Sequence, residues 1–141
     1  MRVKKITNLV KLKVSEYPRI DSIVEGLEMK KELTNNKDVN SSIQSKNKIN
    51  REIERQAIKN INIENKIEEY RKWQSIIKNE LELIKETDSE TYNIVYSKCL
   101  GATFENIENE LYLGHRTVTR LYNNFIIEIS FLAIKNGLIS I

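Results

Sequence analysis

Six side chains able to meet a nucleic acid stand close together near the C-terminus: His115, Arg116, Thr117, Thr119, Arg120 and Asn123. From Gly114 to Asn124 there are two arginines, one histidine and no acid. Arginine presents a planar fork of donors to phosphate or to the guanine edge, and asparagine pairs with adenine. On this reading Arg116 and Arg120 address bases or phosphates, Thr117 and Asn123 address bases, and Thr119 and His115 address the backbone. Thr103, at the start of the preceding helix, completes the candidate contacts. Other chemistry is poorly served. There is no Gly-rich phosphate loop, no histidine-based dyad and no cluster at metal-ligand spacing. Glu64, Glu68 and Glu69 read as one exposed helix face. No catalytic residue, metal or cofactor is therefore expected. The single Cys99 excludes an intrachain disulfide and any cysteine-only metal site. It reads instead as a small buried apolar residue.

The elements that must hold these side chains are two short amphipathic helices. Phe104, Ile107 and Leu111 fall three and four apart, as do Val118, Leu121 and Phe125, so each set lines one helix face. Thr103 is the expected N-cap of the first helix and Gly114 of the second. Leu113 and Val118 then stand at the two positions of a hydrophobic staple, which would fix how the chain enters the second helix. A helix over 115–125 with an apolar back and a basic, amide-bearing front suits the major groove. Two amphipathic helices of an ordinary core, with solvated charges, give the same periodicity.

Ungapped from Thr103 to Leu121, the segment resembles the helix-turn-helix of region four of the primary bacterial sigma factors. Thr103, Glu105, Ile107, Glu110, Leu111, Val118 and Leu121 fit that pattern. Glu108 stands where it has Gly or Ala for close helix packing, and Tyr112 where it has Gly in the turn. These departures speak for a diverged relative. Most of the chain resembles the RinA and ArpU group of phage late-gene transcriptional regulators. That group has a short N-terminal helix, a Tyr-Pro break, a polar linker, a long helix and a sigma-like helix-turn-helix. Here Tyr17-Pro18 follows one helical stretch, a polar linker runs from Asn35 to Ser45, and a long helical stretch precedes the motif. The resemblance implies an all-α cytoplasmic protein that binds double-stranded DNA and activates transcription, with host RNA polymerase as a further partner.

The remaining elements follow from periodicity. Val3, Ile6, Leu9 and Val10 share a side of a helix over Met1 to Val14. Its Lys4, Lys5, Lys11 and Lys13 form either a phosphate-contacting arm or a solvated face. Tyr17-Pro18 ends that helix, because the residue before proline is pushed out of the helical region. Ile20, Ile23, Val24 and Leu27 begin a second helix that continues through Met29 to Leu33. From Lys46 to Glu86 apolar residues recur at Ile49, Ile53, Ala57, Ile61, Ile67, Tyr70, Trp73, Ile77, Leu81 and Ile84. A skip of six near Asn60 to Asn65 leaves open one long helix or two with a bend. Trp73 is the expected anchor on the C-terminal domain. Asp88 or Thr87 caps a helix to Leu100 with Tyr92, Val95, Tyr96 and Cys99 inward. Beyond the motif the helix continues to a stop at Gly137. Its apolar residues go all round, so Ile127, Phe131 and Ile134 are expected to face either the long helix folding back or another subunit.

At 141 residues, with 40% apolar and 30% charged residues, the chain can build a modest core. It divides into 1–45 (N-terminal helices and linker), 46–86 (long helix or bent pair) and 87–141 (helix-turn-helix domain). The net charge of +3 is unevenly spread: residues 1–72 carry seventeen cations against eleven acids, whereas residues 103–141 carry three cations against four acids. One such module would bind DNA weakly. It would need a second copy, joined through the long helix or the C-terminal helix, or the basic N-terminal half, or a polymerase partner. No signal peptide or membrane span is read. Two alternatives stay open: a phage small terminase subunit, which also joins a helix-turn-helix to oligomerising helices, and a helical protein-binding module.

Overall fold

The structure, a computed structural model, describes residues 3–35 and 46–140. These form α1 (Val3–Glu16), a 3-10 turn (Tyr17–Arg19), α2 (Ile20–Asn35), α3 (Lys46–Thr87), α4 (Ser89–Cys99), α5 (Phe104–Leu111) and α6 (His115–Lys135). The protein is all-α, with no strand among the described residues. Apart from Asn35, the expected polar linker lies outside those residues. None of the described helices is long and apolar enough to cross a membrane.

The chain divides into two units, Met1–Arg19 with Lys72–Ile141, and Ile20–Arg71. The expected segments 1–45, 46–86 and 87–141 are cut differently by the fold. Val10 and Val14 of α1 are buried in one core with Trp73, Ile77, Ile94, Val95, Ile107, Val118, Ile126 and Ile129. Trp73 is the largest fully buried side chain, so it anchors α3 among these helices as its position in the sequence suggests. Burial of about 1.5–3 kcal/mol per large apolar side chain makes this cluster the main source of stability for the unit.

The helix ends in this unit are set locally. Asp88 caps α4, its Oδ1 accepting from the Thr91 N–H at 3.3 Å and its Oδ2 from the Thr91 hydroxyl at 2.6 Å. Ile94, not Tyr96, takes the buried place beside Val95. Tyr96 lies at the surface, stacked on Tyr92 with ring centroids 5.8 Å apart. At the far end of α6, Gly137 adopts φ 75°. The Leu138 N–H reaches the Ala133 carbonyl at 2.9 Å and that of Gly137 reaches Ile134 at 3.1 Å, which closes the helix.

In the other unit, α2 and the first part of α3 run antiparallel. Arg71 bonds Asp21 at 2.6 Å and Lys31 pairs with Glu64. Ile20, Val24 and Ile63 are buried here. The sequence reading placed Ile53, Ala57 and Ile61 on the inner stripe, and the structure corrects this: all three are exposed. The inner seam followed back from Trp73 runs through Tyr70 and Ile67 to Ile63, at spacings of three and four. The skip of six therefore marks a change of stripe, and α3 is one helix through Asn60–Asn65. Met29 and Leu33 are likewise exposed, so the inner face of α2 ends near Leu27.

Candidate nucleic-acid interface

The candidate residues lie on α5, α6 and the three residues between them. Thr103 caps α5, its hydroxyl oxygen accepting from the Asn106 N–H at 3.2 Å. Tyr112 follows the helix in the left-handed region, φ 55° and ψ 40°. The N–H groups of both Tyr112 and Leu113 return to the Glu108 carbonyl, the second at 3.2 Å. This is the hydrogen-bond closure usually built on glycine. Tyr112 itself is 94% exposed.

Gly114 then begins α6 in an extended conformation, φ −71° and ψ 155°, with no side chain to accept from the first turn. The N-terminal N–H groups of α6 consequently have no side-chain cap, and a helix start of this kind favours an anion. Leu113 is half-buried and Val118 is fully buried in the same cluster, as the staple requires. Tyr122 of α6 packs edge-on against Phe104 of α5 at 5.3 Å. Lys98 of α4 sits over the other ring contact of this joint, 4.3 Å from the centroid of Phe104.

The front of α6 is sorted by its turn geometry. At about 100° per residue, Arg116, Arg120, Asn123 and Asn124 fall within an arc of about 100°. Arg116, Arg120 and Asn124 are exposed, and Asn123 is half-buried. Neither arginine has an ion-pair partner among the described residues. Opposite them Val118, Tyr122, Phe125, Ile126, Ile129 and Ala133 are buried, which fixes the rotation of the helix. Thr117 stands half-buried at one margin of the arc.

His115 and Thr119 lie outside it. His115 Nδ1 is 2.5 Å from Glu108 Oε1, so the ring is tied to α5 across the turn. Thr119 keeps its hydroxyl oxygen sealed from solvent without a partner, and that oxygen cannot reach a ligand in this conformation. Two exposed residues at this surface lie outside the set of contacts expected from the sequence, Asn124 and Tyr112. The spacing of four from Arg120 would have found Asn124. Tyr112 had already stood out as the residue in a glycine position.

Two titrating groups lie behind this surface. Cys99, bonded through Sγ–H to the Val14 carbonyl at 3.6 Å, is pushed up to about 11 by burial. Burial, with a smaller effect of Cys99, pushes the Tyr122 phenol up to about 12. Both stay neutral at ordinary pH and belong to the core. Among the described residues no group of His, Cys, Asp and Glu is placed to hold a metal ion.

Comparison with known protein families, curated proteins and solved structures gives no match for this chain.

Proposed function

We propose that α5, the turn and α6 form a helix-turn-helix whose second helix enters the major groove of double-stranded DNA, and that the protein is a cytoplasmic transcriptional regulator. The observation that carries this reading is the front of α6. Two arginines without an ion-pair partner among the described residues and two asparagines share one arc of a helix whose back is locked in the core. Arg116 and Arg120 reach guanine or phosphate, and Asn123 and Asn124 reach base edges. The uncapped N–H groups at the start of α6 add a phosphate contact. His115 acts through its tie to Glu108, and Thr103 through its cap, with its O–H left to donate.

The resemblance to the RinA and ArpU group supports activation of phage or prophage late genes, with host RNA polymerase as the protein partner. A second reading, the small terminase subunit, is favoured by one observation: the exposed Ile53, Ile58 and Ile61 on a helix of 42 residues suit a many-membered assembly.

The test is fluorescence anisotropy with promoter-proximal DNA flanking the gene, at two salt concentrations. Wild type should bind in a salt-sensitive way, and Arg116→Ala/Arg120→Ala should not. Equal binding by the double variant removes the proposed interface. A ring of many subunits in solution would turn the reading toward packaging.

A further inference from the structure

The arc of α6 that carries Arg116, Arg120, Asn123 and Asn124 continues beyond them. At about 100° per residue, Ile127, Phe131 and Ile134 fall on the same arc. Ile127 and Phe131 are 50% and 64% exposed. One flank of this apolar strip carries Glu128 and Lys135, both exposed. They are two turns apart, about 10 Å along the axis. Neither has an ion-pair partner among the described residues. Glu128 also faces Glu80 of α3, whose carboxyl is held above the usual range by burial first and by the Glu128 charge second. One end of this flank thus carries an acid without a cation among the described residues, and the other a cation without an acid.

A two-fold axis laid across such a strip reverses the helix direction and keeps each flank on its own side. The midpoint between Glu128 and Lys135 falls beside Phe131. Rotation there sets Lys135 of each copy on Glu128 of the other. It brings the two Phe131 rings together and Ile127 of each copy near Ile134 of the other. A parallel pairing, about an axis along the helix, carries this flank to the far side of the strip, where Asn123 and Ser130 stand and Glu128 and Lys135 meet no opposite charge. We infer that this strip is self-complementary and that its occupant is a second copy of this chain, docked antiparallel along α6.

The inference deepens the expected oligomer and does not depend on DNA reading. The strip is small beside the roughly 800 Å² per partner of a standard interface. The dimer is therefore weak and loosened by salt. The paired region spans 127–135, so Arg116 to Asn124 stay outside it. Their arcs face opposite ways, because the same arc faces the partner further along. Two copies joined here serve two separate duplex segments, not two half-sites of one palindrome.

Sedimentation equilibrium of the full chain without DNA tests this, with circular dichroism to establish that each variant is folded. Wild type should show a monomer–dimer equilibrium. Phe131→Ala, Glu128→Lys and Lys135→Glu should each weaken it by about tenfold or more, the usual scale for losing an anchor or a charge pair. Glu128→Lys/Lys135→Glu should recover most of the loss. The inference is overturned by a monomer at every concentration, by a higher oligomer, by indifference to the single reversals, or by no recovery in the double variant. Anisotropy with Arg116→Ala/Arg120→Ala fails or succeeds separately.

Discussion

Replacing Tyr112 by glycine should make the protein more stable. Tyr112 holds φ 55° at the end of α5. A residue with a Cβ costs about 1–2 kcal/mol in that conformation. Glycine avoids this cost but brings about 0.5–1 kcal/mol of extra chain entropy in the unfolded state. The ring is 94% exposed, so its removal sacrifices almost no packing. The balance is a gain of about 0.5–1 kcal/mol, or a rise of about 1–4 °C in Tm for a chain of this size. Tyr112→Ala is the control, because alanine keeps the backbone cost while losing the same ring. It should stay within about 0.5 kcal/mol of wild type. Trp73, the single tryptophan and fully buried, reports on the unit in which Tyr112 lies. Urea denaturation followed by its fluorescence measures all three proteins. The reasoning is refuted if glycine is no more stable than alanine at this position. Gly101, at φ 94°, gives the opposite case, and Gly101→Ala should destabilise by about 1 kcal/mol or more.

Other outcomes follow from the same geometry. If Arg120 is bidentate to guanine, Arg120→Ala should lower specific DNA affinity by about 1–3 kcal/mol in anisotropy, with relaxed preference at one base position. Trp73→Ala should cost about 3–5 kcal/mol in denaturant melts. Trp73→Phe should cost much less, because the buried indole N–H has no hydrogen-bond partner to lose. Asp88→Ala should destabilise by about 1 kcal/mol through loss of the α4 cap. Cys99 should react slowly with thiol reagents at neutral pH and faster as pH approaches about 11. Its folded value and that of Tyr122 are raised, so their stabilising effect is complete below the unfolded values near 9 and 10. It is lost as pH climbs through about 11 and 12, and a melt series above pH 9 should show falling Tm.

Local signals were the legible part of this chain. Thr103 and Gly114 can be named as caps, and the α4 cap narrowed to Asp88 or Thr87, because a cap acts within a few residues of itself. The same holds for the break at Tyr17-Pro18 and the stop at Gly137. Faces were less legible where two apolar stripes share one helix. Ile53, Ala57 and Ile61 repeat by four as regularly as Ile63, Ile67 and Tyr70 repeat by three and four. Only the position of α2, fixed through Asp21–Arg71 and Lys31–Glu64, chooses between them. The grouping of α1 with α4 and α6 was hidden for a related reason. It rests on contacts between residues as far apart as Val14 and Cys99, which no local pattern encodes.

The candidate site was legible as a list of side chains but not as a surface. Arg116, Arg120 and Asn123 could be placed on one arc because helix geometry alone decides it. His115 and Thr119 could not, because their fate depends on α5. Glu108 is the residue that settles the first of these. In the sigma-like pattern its position is occupied by a side chain small enough for two helices to touch. Here its carboxylate spans the joint to His115, while its own carbonyl receives the N–H groups of Tyr112 and Leu113. One residue therefore ties the end of α5, the left-handed turn and the first residue of α6. The two departures from the pattern, Glu108 and Tyr112, are parts of a single device. Glu108→Ala should free the His115 ring while leaving the backbone closure at Tyr112 in place. Arg116 begins the reading arc one residue after His115, so DNA affinity should fall with little change in Tm. A loss of affinity matched by collapse of the Tm would mean that Glu108 supports the fold alone, and the tie to His115 would then have no part in binding.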